Sequence, residues 1–81
     1  MSPWKEFYEI YLPLQRKNGL MYTSCENNRR RSLVIHQGER VLINITTEDM
    51  EMDEVLDHVI RDMIFYEKHG FFKKKYSHGP P

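Results

Sequence analysis

The chain has 81 residues, with 12 Lys and Arg against 12 Asp and Glu, 40% apolar residues and a single cysteine. That length supports one small domain that buries about 60% of its unfolded surface, which leaves no room for a large enclosed active site, while the apolar content excludes disorder throughout. One cysteine cannot close an intrachain disulfide, no stretch approaches the ~18 consecutive apolar residues of a membrane span, and Lys5, Glu6 and Glu9 stand where a signal peptide would be apolar. The expectation is a cytoplasmic protein with no membrane partner.

The neutral total conceals blocks of charge. Lys and Arg stand against Asp and Glu as 7 to 4 over residues 1–47, 1 to 8 over 48–67 and 4 to 0 over 68–81. At physiological salt the Debye length is about 8 Å, shorter than a domain diameter, so a partner feels the patches and not the sum.

In chain order, Ser2 as cap and Pro3 at the first helical position open a short helix that carries Trp4, Phe7, Tyr8, Tyr11 and Leu12 on one face and ends near Pro13. The competing signal is the alternation of Tyr8, Ile10, Leu12 and Leu14 ahead of Asn18-Gly19, which would make this segment a fourth, edge strand. Leu20–Cys25 reads as a strand, and Glu26–Arg31 as an exposed loop. Ser32–His36 and Val41–Thr46 form a hairpin about Gln37–Arg40, with Val41, Ile43 and Ile45 on the covered face. From Thr47 to Lys68 the spacing of Met52, Val55, Leu56, Val59, Ile60, Met63 and Ile64 predicts a long amphipathic helix. Thr46 or Thr47 would cap it, Thr46 with Asp49 would make a capping box, and Gly70 would stop it. The fold expected is α+β, in the order α-β-β-β-α, with a small antiparallel three-stranded sheet packed by the long C-terminal helix; the alternative is a four-stranded meander plus one helix. Residues 1–70 would be the domain and 71–81 a basic, mobile tail.

Few residues suggest chemistry. Cys25 with His36 as base has no flanking motif, so no catalytic residue is assigned and the protein is read as a non-enzyme. Glu54, His58 and Asp62 share a helical face but supply one imidazole and no thiol, so no metal or other cofactor is assigned either. The acidic block of 48–67 is explained by a solvated helix face and a first turn that favours anions. The basic clusters have no such explanation. Arg29, Arg30 and Arg31 are consecutive in an expected loop, and Phe72, Lys73, Lys74, Lys75 and Tyr76 set aromatics beside lysines, a combination suited to base stacking and phosphate neutralisation. Arg16 and Lys17 add to whichever face they join.

The element order resembles that of double-stranded RNA-binding domains and of the Alu-domain proteins of the signal recognition particle, whose sheets or loops contact RNA. The resemblance lies in that order alone; Glu48, Asp49 and Glu51 replace the basic pattern that opens the last helix of the first family. The leading expectation is therefore a small module that binds nucleic acid, most simply RNA, through the arginine loop and the lysine tail. The alternative is a protein-interaction module, a regulatory subunit or inhibitor of a larger enzyme, docking through Trp4, Tyr8 and Tyr11 and the acidic residues Glu51, Glu54 and Asp57. Homodimerisation through a free sheet edge is the third.

Overall fold

The computed structural model describes residues 3–72. Its elements are α1 (Pro3–Asn18), β1 (Met21–Asn27), β2 (Arg30–Gln37), β3 (Arg40–Thr47) and α2 (Met52–His69). The strands form one antiparallel sheet in the order β1-β2-β3, so the α-β-β-β-α reading holds and the four-stranded meander does not. Among the described residues, no helix is long and apolar enough to cross a membrane.

Both helices lie on one face of the sheet. Phe7, Tyr11 and Leu14 of α1 and Val55, Leu56, Val59, Ile60 and Met63 of α2 share a single buried cluster with Leu33, Ile35, Ile43 and Ile45. Six of those helix residues are no more than 1% exposed. A fully buried aliphatic or aromatic side chain contributes about 1.5–3 kcal/mol, so this cluster is the main source of stability. The opposite face carries no packed layer among the described residues.

Four boundaries differ from the sequence reading. Helix α1 does not stop at Pro13 but continues to Asn18, where Gly19, at φ 71°, donates its N–H to the Gln15 carbonyl. Pro13 removes one helical N–H, but its ring is exposed and displaces no core side chain, so tertiary burial of Leu14 outweighs the local penalty. The expected loop Glu26–Arg31 is instead a tight hairpin in which Glu26 pairs with Arg31 and Asn27 with Arg30, leaving only Asn28 and Arg29 in the turn. Asn28 adopts φ 54°, a left-handed conformation that asparagine tolerates.

The third difference lies in β3. A shift of register between Ile35 and His36 sets His36 opposite Val41, leaving Leu42 outside the ladder. Val41, expected on the covered face, is therefore 51% exposed, and Thr47 joins Ile43 and Ile45 in the buried row. Finally, α2 begins at Met52, five residues later than expected. Its cap is Glu51, whose N–H donates to the Glu54 side chain in place of the Thr46–Asp49 box, while the Thr47 hydroxyl accepts the Asp49 N–H. Thr47 is strand-bound, so it caps only this connecting bend. At the far end Gly70, φ 83°, donates to the Tyr66 carbonyl and stops the helix as expected.

Candidate nucleic-acid interface

The two basic clusters start from opposite ends of the sheet. The arginine turn closes β1 and β2 at one end. At the other, the Gln37 amide donates to the Asn18 carbonyl at 2.6 Å, which fixes Arg16 and Lys17 beside the β2–β3 turn. Helix α2 ends there too, since Gly70, Phe71 and Phe72 line a hollow with Gln37, Arg40 and Val41. A seven-residue strand spans about 23 Å, so the arginine turn and the point where the chain leaves toward the lysines lie that far apart. Lys73, Lys74, Lys75 and Tyr76 fall outside the described residues. Arg40 and Lys68 join Arg16 and Lys17 at this second end, a grouping that only the folded topology brings together.

The three arginines do not do the same work. The side chain of Arg31 is only 15% exposed; its Nε lies 3.3 Å from Glu26 Oε2, one terminal nitrogen donates to Glu51 Oε2 at 3.0 Å, and the other donates to the Arg29 carbonyl. One guanidinium thereby ties β1, the hairpin turn and the cap of α2. Arg29 and Arg30 are exposed, and with Asn27, Asn28 and Glu48 they line a shallow hollow. The signal for this division was present in the sequence: a turn centred on Asn28-Arg29 sets Glu26 opposite Arg31.

The sheet's open face has a distinct composition. Pairing and alternation place Met21, Thr23, Cys25 and Asn27 of β1, Arg30, Ser32, Val34 and His36 of β2, and Val41, Asn44 and Thr46 of β3 on it. None of these is a carboxylate. Of the acidic residues, Glu6 and Glu9 are on α1, five lie on α2, three lie in the β3–α2 connection, and Glu26 alternates onto the helix side, where Arg31 holds it. Glu39 sits in the β2–β3 turn. Cys25 faces Ser32 and His36 faces Met21, so thiol and imidazole stand four residue steps apart along the strands, about 13 Å. The His36 Nδ1 lies 3.1 Å from the Gly38 carbonyl.

The helix layer is the acidic side. Between α1 and α2 runs a groove of about 470 Å³ bordered by Glu6, Glu9, Asp53 and Asp57 over Ile60, with Lys5 at its rim. Asp57 is bound to Arg61 at 2.7 Å, and Glu51 and Glu54 are engaged by Arg31 and the helix cap. The aromatic residues that the sequence offers as docking anchors are divided. Tyr11 is 2% exposed and stacks on Phe7 in the core, Trp4 is half-buried edge-on to Phe7, and Tyr8 is exposed at the margin, its hydroxyl bonded to that of Tyr22. That bond, then burial and the neighbouring tyrosines, push the Tyr22 phenol up to about 12. Burial raises Tyr11 as well. Among the described residues no three histidine, cysteine or carboxylate side chains come together as a metal ion would need.

No protein-family model matches this chain, and neither does any curated protein or solved structure at a significant level.

Proposed function

We propose that the protein binds nucleic acid along the open face of its sheet, with Arg30 on that face and Arg29 in the adjoining turn at one end, and with Arg16, Lys17, Arg40 and Lys68 beyond its other end, where the helices terminate. The observation that carries this reading is the partition of charge between the two layers: the open face has Arg30 and His36 and no carboxylate, whereas α1 and α2 carry seven acidic residues and Glu26 faces them, with Glu39 and Glu48 at the two ends of the sheet, Glu48 beside Arg29 and Arg30. A phosphodiester backbone is repelled by the second surface and accepted by the first. Thr23, Ser32, Asn44 and Thr46 give that face neutral donors and acceptors. RNA is the favoured polymer because unpaired, splayed bases meet an open sheet more readily than a stacked duplex does.

Fluorescence anisotropy with labelled single-stranded and duplex RNA and DNA tests the reading. Binding that weakens steeply with salt, and that Arg29→Ala with Arg30→Ala diminishes without loss of helical circular dichroism, supports it. Absence of binding at low salt, or binding that salt leaves unchanged, overturns it.

A second reading rests on the acidic groove between the helices. Four carboxylates over an apolar floor suit a basic segment of a partner protein, and the acidic α2 then serves as the docking element in place of the aromatic N-terminus. Asp53→Lys with Asp57→Lys separates the two: it abolishes capture of such a partner and leaves nucleic-acid affinity unchanged or raised.

A further inference from the structure

At the corner where β3 begins and α2 ends, the surface is apolar and concave. Arg40, Val41, Leu42, Tyr66, Phe71 and Phe72 line a hollow of about 190 Å³, with Gln37 at its edge. Three features distinguish it from an ordinary seam. The first is exposure: Val41 is 51% and Phe71 58% accessible, two of the largest apolar exposures among the described residues, and they meet here. The second is ring packing. Phe72 stacks on Tyr66 with ring centres 4.6 Å apart, Phe71 packs edge-on against Phe65 at 5.4 Å, and the register shift in β3 is what turns Val41 outward and leaves Leu42 free of the ladder. The third is polarity at the rim. Gln37 commits its amide nitrogen to Asn18, which orients its oxygen as an acceptor, and the Arg40 guanidinium is exposed.

Aromatic walls with a forked cation and an oriented amide at the edge match a planar heterocycle carrying exocyclic donors and acceptors. Ligand pockets for larger molecules start near 300 Å³, so a volume of 190 Å³ admits a small ring system only. Arg16, Lys17, Arg40 and Lys68 at the same end supply the neutralisation that a phosphate-linked ring requires. We propose that this hollow seats one unpaired nucleobase, which enters over Val41 from the open sheet face and stacks on Phe71. The inference rests on the nucleic-acid reading above and adds to it a preference for single strands that backbone contacts alone would not produce.

The test compares a labelled oligo(U) with an abasic oligomer of the same length at fixed salt, against the full chain and its Phe71→Ala and Phe71→Trp variants. Phe71 is largely exposed, so its removal leaves the core intact, and circular dichroism verifies the fold. The expected result is oligo(U) binding roughly tenfold tighter than the abasic strand, that advantage lost in Phe71→Ala with the salt slope unchanged, and kept in Phe71→Trp with quenching of the new indole by the base. Equal affinity for the two oligomers, or no effect of Phe71→Ala, overturns the base site while leaving polyanion binding standing. If neither oligomer binds at low salt, the nucleic-acid reading fails and the base site fails with it.

Discussion

At the scale of single residues, three neighbouring arginines separate into one that holds the fold and two that do not. Arg31 is shielded and engages two carboxylates and a carbonyl, so Arg31→Ala exposes no new surface for binding but leaves Glu26 and Glu51 without their shared partner. The expected loss is about 1–2 kcal/mol in urea denaturation, at the upper end for an ion pair because one partner is largely buried. Lysine does not rescue it, since a point charge cannot reproduce the two donors of a planar fork that reach Glu51 and the Arg29 carbonyl while the same group stays paired with Glu26. Arg29→Ala and Arg30→Ala change stability by less than about 0.5 kcal/mol. Equal destabilisation by all three substitutions would show that the ion-pair cluster is not what sets Arg31 apart.

The tyrosine pair offers a second residue-scale test through pH. A phenol ordinarily ionises near 10, whereas Tyr22 is held up to about 12 by its bond with Tyr8, by burial and by its tyrosine neighbours. The folded state therefore keeps a proton that the unfolded chain releases above pH 10. Stability from this group is fully present below pH 10 and is lost as pH rises from there toward 12. Chemical denaturation across that window should record the decline, and Tyr8→Phe should lower the midpoint at which tyrosinate absorbance appears and flatten the decline. An unchanged absorbance midpoint in Tyr8→Phe would count against the hydrogen bond as the main cause.

At the scale of elements, what was legible in the sequence and what was not divide along a physical line. Periodicity over many residues was decisive: the stripe expected on α2 from Met52 to Ile64 is buried as far as Met63, with Ile64 exposed at its edge, and the hairpin about Gly38 follows from its turn chemistry. Boundaries set by a single local signal failed where a longer-range contact opposed them. Pro13 is a strong local stop, yet burial of Leu14 and the Gly19 terminator carry α1 past it; Thr47 is a good cap, yet the ladder with Arg31 holds it in β3. The β3 bulge has no sequence signature, because Val41 and Leu42 satisfy the strand pattern in either register, and the hollow it helps to form was invisible for that reason. The division of the arginine cluster depended on a two-residue turn that the polarity of Glu26–Arg31 had concealed. Pro13→Ala tests the first of these conflicts. Restoring the missing N–H in an exposed helical position should stabilise the protein by about 1–3 kcal/mol, visible as a rise in the thermal midpoint. A fall instead would mean that α1 depends on a bend at that point.

At the scale of the whole molecule, the sheet fixes two surfaces of opposite character, and their separation makes a quantitative prediction about salt. Each phosphate neutralised on a single strand contributes about 0.7 to the negative slope of log affinity against log salt concentration. Arg29 and Arg30 lie at one end of the open face, and substituting both with alanine should reduce that slope by about 1.4 if each engages one phosphate. Arg16, Lys17, Arg40 and Lys68 stand beyond the opposite end of the sheet, where the helices terminate, so Arg40→Ala should lower the slope independently, and the triple variant should show the two reductions added, as expected for sites a strand length apart. Glu6→Gln with Glu9→Gln changes the net charge by the same amount as removing Arg29 and Arg30 and in the opposite direction, but on the helix side. If net charge governed binding, those glutamines would steepen the slope as much as the two arginine substitutions flatten it. If the face governs, the slope with the glutamines stays where the unaltered chain puts it, because counterions are released only where phosphates and cations meet. A slope that tracks net charge across this series would refute the layered arrangement as the basis of recognition, even if the protein binds nucleic acid tightly.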